Sequence, residues 1–401
     1  MTMQQRAAME WSGERLAYLD FLRGFAVLGL LLMNITHMGL FEVGYAHFEP
    51  SLFSDRLVEA IKAVLFDGRF RSLFCLLFGI GLYLQSLSYQ KRDLASYPIL
   101  KTRVRWLLVF GLLHCILIWP GDILILYALS GLYLIGRLDW SSRKLLSKGK
   151  LYFGIGILIT ALETFAYWYF DQPINRDSAA FTEAYNAMLS GYGERVIVNA
   201  AVALIYIVSY PVLAFFYIVG VMLIGIGLFK NGKLTQGFES KEVSQLIWVT
   251  LLVSAINAYL ALFYSDLNSY FGMLLGSVSG LTMALLIWHW VLKTKVFDSD
   301  NLLVAACKRV GGMALTFYIL QSLAMTMLLQ VLNPDWILTF TQFDYMKLAV
   351  GFIFVQLLLG YLYKQYFKQG PLEFVWRKVV EKKVKRLSEQ VQKPSLKSES
   401  A

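Results

Sequence analysis

Residues 205–229 read IYIVSYPVLAFFYIVGVMLIGIGLF, twenty-five positions without a charge and with a proline at 211. A soluble helix of that length needs a polar face, and this stretch has none. A bilayer core takes roughly 20 apolar residues per helical span, so the stretch reads as a transmembrane helix. Residues 196–229 together are too long for one straight span, and Pro211 predicts a lead-in helix or a kink. Comparable apolar runs lie at 24–41, 72–89, 104–120, 123–136, 151–170, 245–264, 270–292, 310–331 and 346–366. Composition agrees. Hydrophobic residues make up 57% and charged residues 16%, against roughly 45–50% and about 25% in soluble domains. The reading is an all-α, polytopic integral membrane protein with ten transmembrane helices. Glu10, Glu14 and Asp20 precede the first run and no A-x-A-like site follows it, which argues for a retained helix over a cleaved signal peptide.

Charge sets the expected topology. If the N-terminus is cytoplasmic, the inside segments 1–23, 88–105, 137–150, 230–244, 293–309 and 364–401 hold 30 of the 37 Lys and Arg residues. The remainder are Arg56, Lys62, Arg69, Arg71, Arg176, Arg195 and Lys347. The positive-inside rule predicts this asymmetry, and both termini fall in the cytoplasm of a multi-pass inner (plasma) membrane protein. The domain reading is a cytoplasmic segment 1–23, a membrane domain 24–368, and a basic amphipathic tail 369–401. In that tail Trp376, Val380, Val384, Leu387 and Val391 share a helical face, with Lys378, Lys382, Lys383, Lys385 and Arg386 between them. Such a helix suits anionic membrane lipid, and a solvated helix is the alternative; the end after Lys393 reads as disordered. The net charge of +10 has no basic soluble domain to carry it, so no nucleic-acid partner is expected. Cys75, Cys115 and Cys307 lie in or beside apolar runs and imply no disulfide framework. A Gly-Ile-Gly-Leu echo at 79–82 and 225–228 is explained most simply as helix packing.

Ionisable groups inside a bilayer are costly and default to functional candidates. The densest cluster holds Arg103, Arg105, His114, then Trp119-Pro120-Gly121-Asp122, and Tyr127. Arg103 and His114 are eleven residues apart, which on a helix is nearly in register and about 16.5 Å of rise. Arg23 and Asn34 repeat the spacing on the first span. Guanidinium groups at the inner mouth suit a phosphate-bearing ligand. A neutral imidazole at depth suits a general base, with Asp122 returning at the outer surface to orient it. The bland alternatives are a packing histidine, ordinary positive-inside arginines and a helix N-cap at Asp122. Arg69 and Arg71, beside Asp67, break the charge trend at the outer end of the second span and point to an anionic acceptor or to local ion pairing. Glu163 sits mid-span, as a proton relay or an interhelical hydrogen bond. No H-E-x-x-H or Cys/His spacing suggests a metal site, and no resident cofactor is expected.

Several stretches resemble the YeiB-like family of bacterial inner-membrane proteins. They are Leu19-Asp20-Phe21-Leu22-Arg23-Gly24 through Asn34, Arg69-Phe70-Arg71-Ser72-Leu73-Phe74, Gly111-Leu112-Leu113-His114 with Trp119-Pro120-Gly121-Asp122-Ile123-Leu124 and Tyr127, Met313-Ala314-Leu315-Thr316 with Tyr318 and Gln321-Ser322, and Gly370-Pro371-Leu372-Glu373-Phe374-Val375-Trp376-Arg377. The resemblance implies kinship with membrane acyltransferases such as O-antigen acetylases and heparan-α-glucosaminide N-acetyltransferase. Those proteins move an acyl group from cytoplasmic acyl-CoA to a sugar across the membrane. By that analogy His114 and Asp122 are the catalytic candidates, and Arg23, Asn34, Arg69, Arg71, Arg103, Arg105 and Tyr127 are substrate-binding candidates. The O-antigen acetylases have a His eleven residues after the Arg, where this chain has Asn34, and Gly312 and Phe317 stand where the YeiB-like pattern tends to have Arg and Asn. The expected function is acyl transfer from acyl-CoA to an extracytoplasmic acceptor such as a cell-envelope glycan. A small-molecule permease using the same polar residues is the alternative.

Overall fold

The computed structural model describes residues 17–170 and 174–392, with side chains to residue 389. The N-terminal segment before Ala17, the polar end after Lys393 and the Val391 side chain lie outside the described residues. Every apolar run falls on a helix. In chain order these are α1 (Ala17–Asn34), α2 (Phe53–Leu65), α3 (Arg69–Gln90), α4 (Ser96–Leu117), α5 (Leu124–Leu134), α6 (Ser142–Phe170), α7 (Ala179–Leu189), α8 (Tyr192–Leu213), α9 (Phe215–Lys230), α10 (Ser240–Phe263), α11 (Ser265–Thr294), α12 (Leu302–Gly311), α13 (Ala314–Thr326), α14 (Gln342–Tyr366) and α15 (Pro371–Gln392). Eight helical stretches among the described residues are long and apolar enough to cross a bilayer, and α5 and α9 are shorter apolar helices. The protein is an all-α polytopic membrane protein.

The long run at 196–229 is two helices, α8 and α9, meeting at Ala214. Pro211 sits in the last turn of α8, where it has no N–H to continue the ladder and its ring crowds the preceding turn. The pair makes one net crossing. Tyr192 at its start donates to the Leu117 carbonyl at 2.9 Å, while Lys230 at its end donates to the carbonyls of Leu138 and Trp140 at 2.6 and 2.8 Å.

Two faces of the bundle follow from such ties. At the basic face, Trp288 donates to Leu234, Lys308 to Phe297 and Trp376 to Arg103. At the far face, Trp119 donates to His37, Arg176 to Ala46, Ile337 and Phe340, and Gln330 to Met38 and Gly39. Between them the core is built on close helix contacts. A Cβ at Gly79 would stand 2.9 Å from the Met222 carbonyl oxygen, and one at Gly225 would stand 3.0 Å from the Leu76 side chain. The two Gly-Ile-Gly-Leu stretches therefore bring α3 and α9 together, as small residues do where lipid offers no hydrophobic drive to association.

The tail helix α15 is docked on the bundle. Its apolar stripe, Trp376, Val380, Val384 and Leu387, packs on Tyr89, Leu94 and Ile99 of the α3–α4 hairpin. Glu373 fixes its start by accepting from the Leu315 and Thr316 amides at 2.8 and 3.1 Å. These are unsatisfied donors at the positive end of α13. Lys378, Lys382, Lys385 and Arg386 point outward.

Candidate functional site

Eleven residues along α4 connect the two ends of the site. At the basic face Arg103 stacks on the Trp376 indole, its guanidinium carbon 3.8 Å from the ring centroid, while Trp376 Nε1 donates to the Arg103 carbonyl at 2.9 Å. Arg23 stands on the neighbouring α1, 3.1 Å from Asp20. Both arginines line a cavity of about 220 Å³ that runs inward to Tyr127, Ile123 and Tyr318. No carboxylate lies within ion-pair distance of Arg103 among the described residues. Arg103 shares the cavity with Arg23 and with the carboxylates of Asp20 and Glu373.

At the inner end the Trp119–Asp122 turn folds Asp122 back onto α4. His114 Nδ1 lies 2.7 Å from Asp122 Oδ2, and both side chains are fully buried. The second carboxylate oxygen, Oδ1, accepts from the Ile125 amide at 2.7 Å. Asp122 is thus a helix cap for α5 and the orienting partner of His114 at once, one role per oxygen. Gly111 makes room for this: a Cβ there would stand 2.9 Å from Asp122 Oδ1 and 2.8 Å from the Ile125 nitrogen. A carboxylate is an acceptor, so the pairing puts the imidazole proton on Nδ1 and leaves the Nε2 lone pair free. Nε2 is buried with no partner among the described residues.

The Tyr318 ring stands 5.2 Å from the imidazole, centroid to centroid, and its hydroxyl accepts from the Ile123 amide at 3.2 Å. One helical turn further on α13, Gln321 is fully buried and neither polar atom of its side chain has a partner among the described residues. Buried polar atoms are usually satisfied in folded proteins, so the atoms at His114 and Gln321 are open to a bound group, as are other buried atoms such as Arg69 Nε and Arg71 Nε. On the other side of the Trp119 turn a second cavity, about 370 Å³, opens at the far face. Leu117, Ile118 and Pro120 line it. His114 and Asp122 themselves line neither cavity; Leu117, Ile118 and Pro120 beside them line the far-face one, and Ile123 and Leu124 the basic-face one.

The other nominated residues fall elsewhere. Tyr127 lines the basic-face cavity and donates to the Arg71 carbonyl at 3.2 Å. Arg105 is exposed and lines neither cavity, because two residues along a helix turn the side chain about 200° from Arg103. Asn34 ends α1 and also lines neither. Arg69 is fully buried, donating to the Asp67 backbone carbonyl and to Ser254 Oγ at 2.6 Å. Arg71 donates to Ser277 Oγ at 2.9 Å and stacks on Tyr217. Both arginines pin α3 to α10 and α11. Glu163, half-buried on α6, lines neither cavity. Gln321, Trp376 and Glu373 entered the sequence reading only as parts of a resemblance or a tail, since nothing in their local pattern says what they face. No group of three or more His, Cys, Asp or Glu side chains gathers in a metal-binding arrangement among the described residues.

Known proteins match this chain over nearly its whole length. The protein YeiB of Escherichia coli, described as uncharacterized, is 30% identical, the match covering 91% of this chain and 96% of the relative. The chain belongs to the YeiB-like family. A second relative, the uncharacterized protein YxaH of Bacillus subtilis, is 25% identical over 91% of this chain and 94% of its own. An uncharacterized 39.9 kDa protein of Bacillus acidopullulyticus is 26% identical over 91% and 93%. The family model described as "Protein of unknown function (DUF418)" matches residues 228–383. That segment includes Tyr318, Gln321, Glu373 and Trp376 of the YeiB-like site. No solved structure matches.

Proposed function

We propose that this YeiB-like protein is an inner-membrane acyltransferase that takes an acyl group from cytoplasmic acyl-CoA and passes it to an acceptor on the other side. One observation carries the reading. The His114–Asp122 pair, with a buried Nε2 unpartnered among the described residues, lines neither cavity itself but is flanked in sequence by residues of both: a basic-face cavity lined by Arg23 and Arg103 with Asp20 and Glu373, and a second cavity at the far face. The positive-inside rule supports placing the basic face in the cytoplasm, and the tail's outward Lys and Arg residues then meet the anionic leaflet.

Arg103 and Arg23 suit the phosphates of the donor, because guanidinium binds phosphate oxygens through paired hydrogen bonds. A cavity of about 220 Å³ suits the acyl-pantetheine arm, leaving the nucleotide outside. His114 lies about 16.5 Å beyond Arg103 along one helix face, and the Tyr318 ring must move aside for the thioester to reach it. There the acceptor hydroxyl or amine attacks the thioester carbonyl and gives its proton to Nε2. The new C–O or C–N bond forms, the C–S bond breaks, and the proton passes to the departing thiolate to give free CoA. Asp122 holds the ring and stabilises the transient imidazolium. A permease would also have two cavities on opposite faces, and it is the second reading.

Purified protein in nanodiscs, given acyl-labelled CoA and an envelope extract, separates the two. Label should leave CoA for an envelope component, with an equivalent of free thiol released. Vectorial uptake without thiol release would favour the permease.

A further inference from the structure

All seven Lys and Arg residues on the far side hold a hydrogen bond or an ion pair, and six of them line neither cavity. Arg176 donates to three backbone carbonyls, Lys347 pairs with Asp344 at 2.7 Å, Lys62 reaches Gln342, Arg56 reaches the Leu262 carbonyl, and Arg69 and Arg71 bind serines. Arg195 differs because it lines the far-face cavity. Its Nη1 donates to Gln330 Oε1 at 2.8 Å. Its Nε is buried without a partner, and no carboxylate lies within ion-pair distance among the described residues.

The support behind Arg195 is specific. Gln330 donates its amide to the carbonyls of Met38 and Gly39, both at 3.0 Å, so its oxygen is fixed toward the guanidinium. Gln330 belongs to a π-helical turn, Met327–Leu332, a geometry that recurs at functional sites. Glu42, which also lines the cavity, is exposed at its rim. Asn199 is occupied, donating to the Ile116 carbonyl at 3.3 Å.

The remaining walls are apolar and face outward. Leu117, Val198, Leu323, Met327 and Val331 line the cavity and are 43%, 50%, 44%, 44% and 48% exposed. On helices that cross a bilayer, exposed apolar surface faces acyl chains, so the cavity opens sideways into lipid. We infer that it binds a membrane amphiphile, with the apolar chain along these walls and an anionic head, phosphate or carboxylate, on Arg195. A water-soluble glycan would find few hydrogen-bonding partners here. Leu117, Ile118 and Pro120 place the cavity beside the turn that holds Asp122. The amphiphile is therefore also the acceptor class, a step that rests on the acyl-transfer reading; binding itself does not.

Full-length protein in maltoside micelles tests it with dodecyl phosphate, dodecanoate and inorganic phosphate as probes. Dodecyl phosphate and dodecanoate should bind and inorganic phosphate should not. Arg195→Gln should weaken alkyl-phosphate binding about ten- to a hundred-fold, Arg195→Lys should retain part of it, and Val202→Trp should block it by filling the cavity with the charge intact. All three variants should bind acyl-CoA like wild type, which also reports that they fold. Native mass spectrometry of freshly extracted protein then identifies the source of the head group as a phospholipid, an isoprenyl phosphate or a fatty acid. Unchanged alkyl-phosphate binding by folded Arg195→Gln, or inorganic phosphate competing as well as the alkyl phosphate, overturns the site. If the site holds but wild type does not bind acyl-CoA, the donor reading fails alone.

Discussion

Two groups of arginines reach into this protein, and they do opposite things. Arg69 and Arg71 sit under the far face and bond to the Asp67 carbonyl, Ser254 and Ser277, lining neither cavity. Arg103, with Arg23 nearby, sits at the basic face over an open cavity that Asp20 and Glu373 also line, resting on an indole with no ion pair of its own among the described residues. In the sequence the two groups look alike, since both are guanidiniums at a span end. The difference is where the donors go. A guanidinium bonded to neighbouring helices acts as a rivet, and one facing a cavity is, on the proposed reading, a receptor.

The comparison can be broken at either end. The largest effect on the fold is expected at Arg69. Arg69→Ala leaves a void and deprives Ser254 and the Asp67 carbonyl of their donor, a cost of about 2–5 kcal/mol. It should lower the yield of folded protein and its melting temperature, while acyl-CoA affinity per folded molecule stays at the wild-type value. Arg103→Ala should do the reverse. Acyl-CoA affinity falls about ten- to a hundred-fold, as expected for a lost charge-assisted hydrogen bond, Arg103→Lys recovers part of it, and melting shifts little. If the two variants exchange phenotypes, the assignment of rivet and receptor is wrong.

The smallest effect concerns His47, in the far-face loop, 3.1 Å from Glu59. Burial works against its charge, but the Glu59 hydrogen bond and the surrounding carboxylates outweigh it and raise its pKa above the ordinary histidine value. A raised pKa in the folded protein means that the contribution is full below the unfolded value and fades as pH rises through the folded one. Melting temperature should therefore decline slightly from about pH 6.5 upward, and His47→Gln should flatten that slope without touching acyl-CoA binding.

Much of this could be read in the chain before any coordinates. The ten apolar runs, the break near Pro211 and the shared face of Arg103 and His114 are periodic features, and helix geometry translates them directly. Asp122 could be placed near His114 because a Pro-Gly turn leaves few ways to return. What could not be read is contact between distant segments. The apolar stripe of α15 is plain in the sequence, yet nothing there tells that it covers the α3–α4 hairpin, or that Trp376 lies under Arg103 across 273 residues. Arg105 was grouped with Arg103 by proximity in sequence, and helix geometry turns it outward. Asn34 stands out by its spacing from Arg23 and the Arg69–Arg71 pair by breaking the charge trend, and neither spacing nor charge tells a rivet from a receptor.

The account turns on His114 as the base between the two cavities. Its direct test is the rate of acyl transfer by purified His114→Gln beside wild type, with acyl-CoA affinity measured on the same samples. Glutamine keeps the hydrogen-bonding capacity toward Asp122 and most of the volume but cannot take a proton near neutral pH. Transfer should fall about 10²–10⁴-fold while acyl-CoA affinity holds at the wild-type value. Undiminished transfer by the variant would contradict the account.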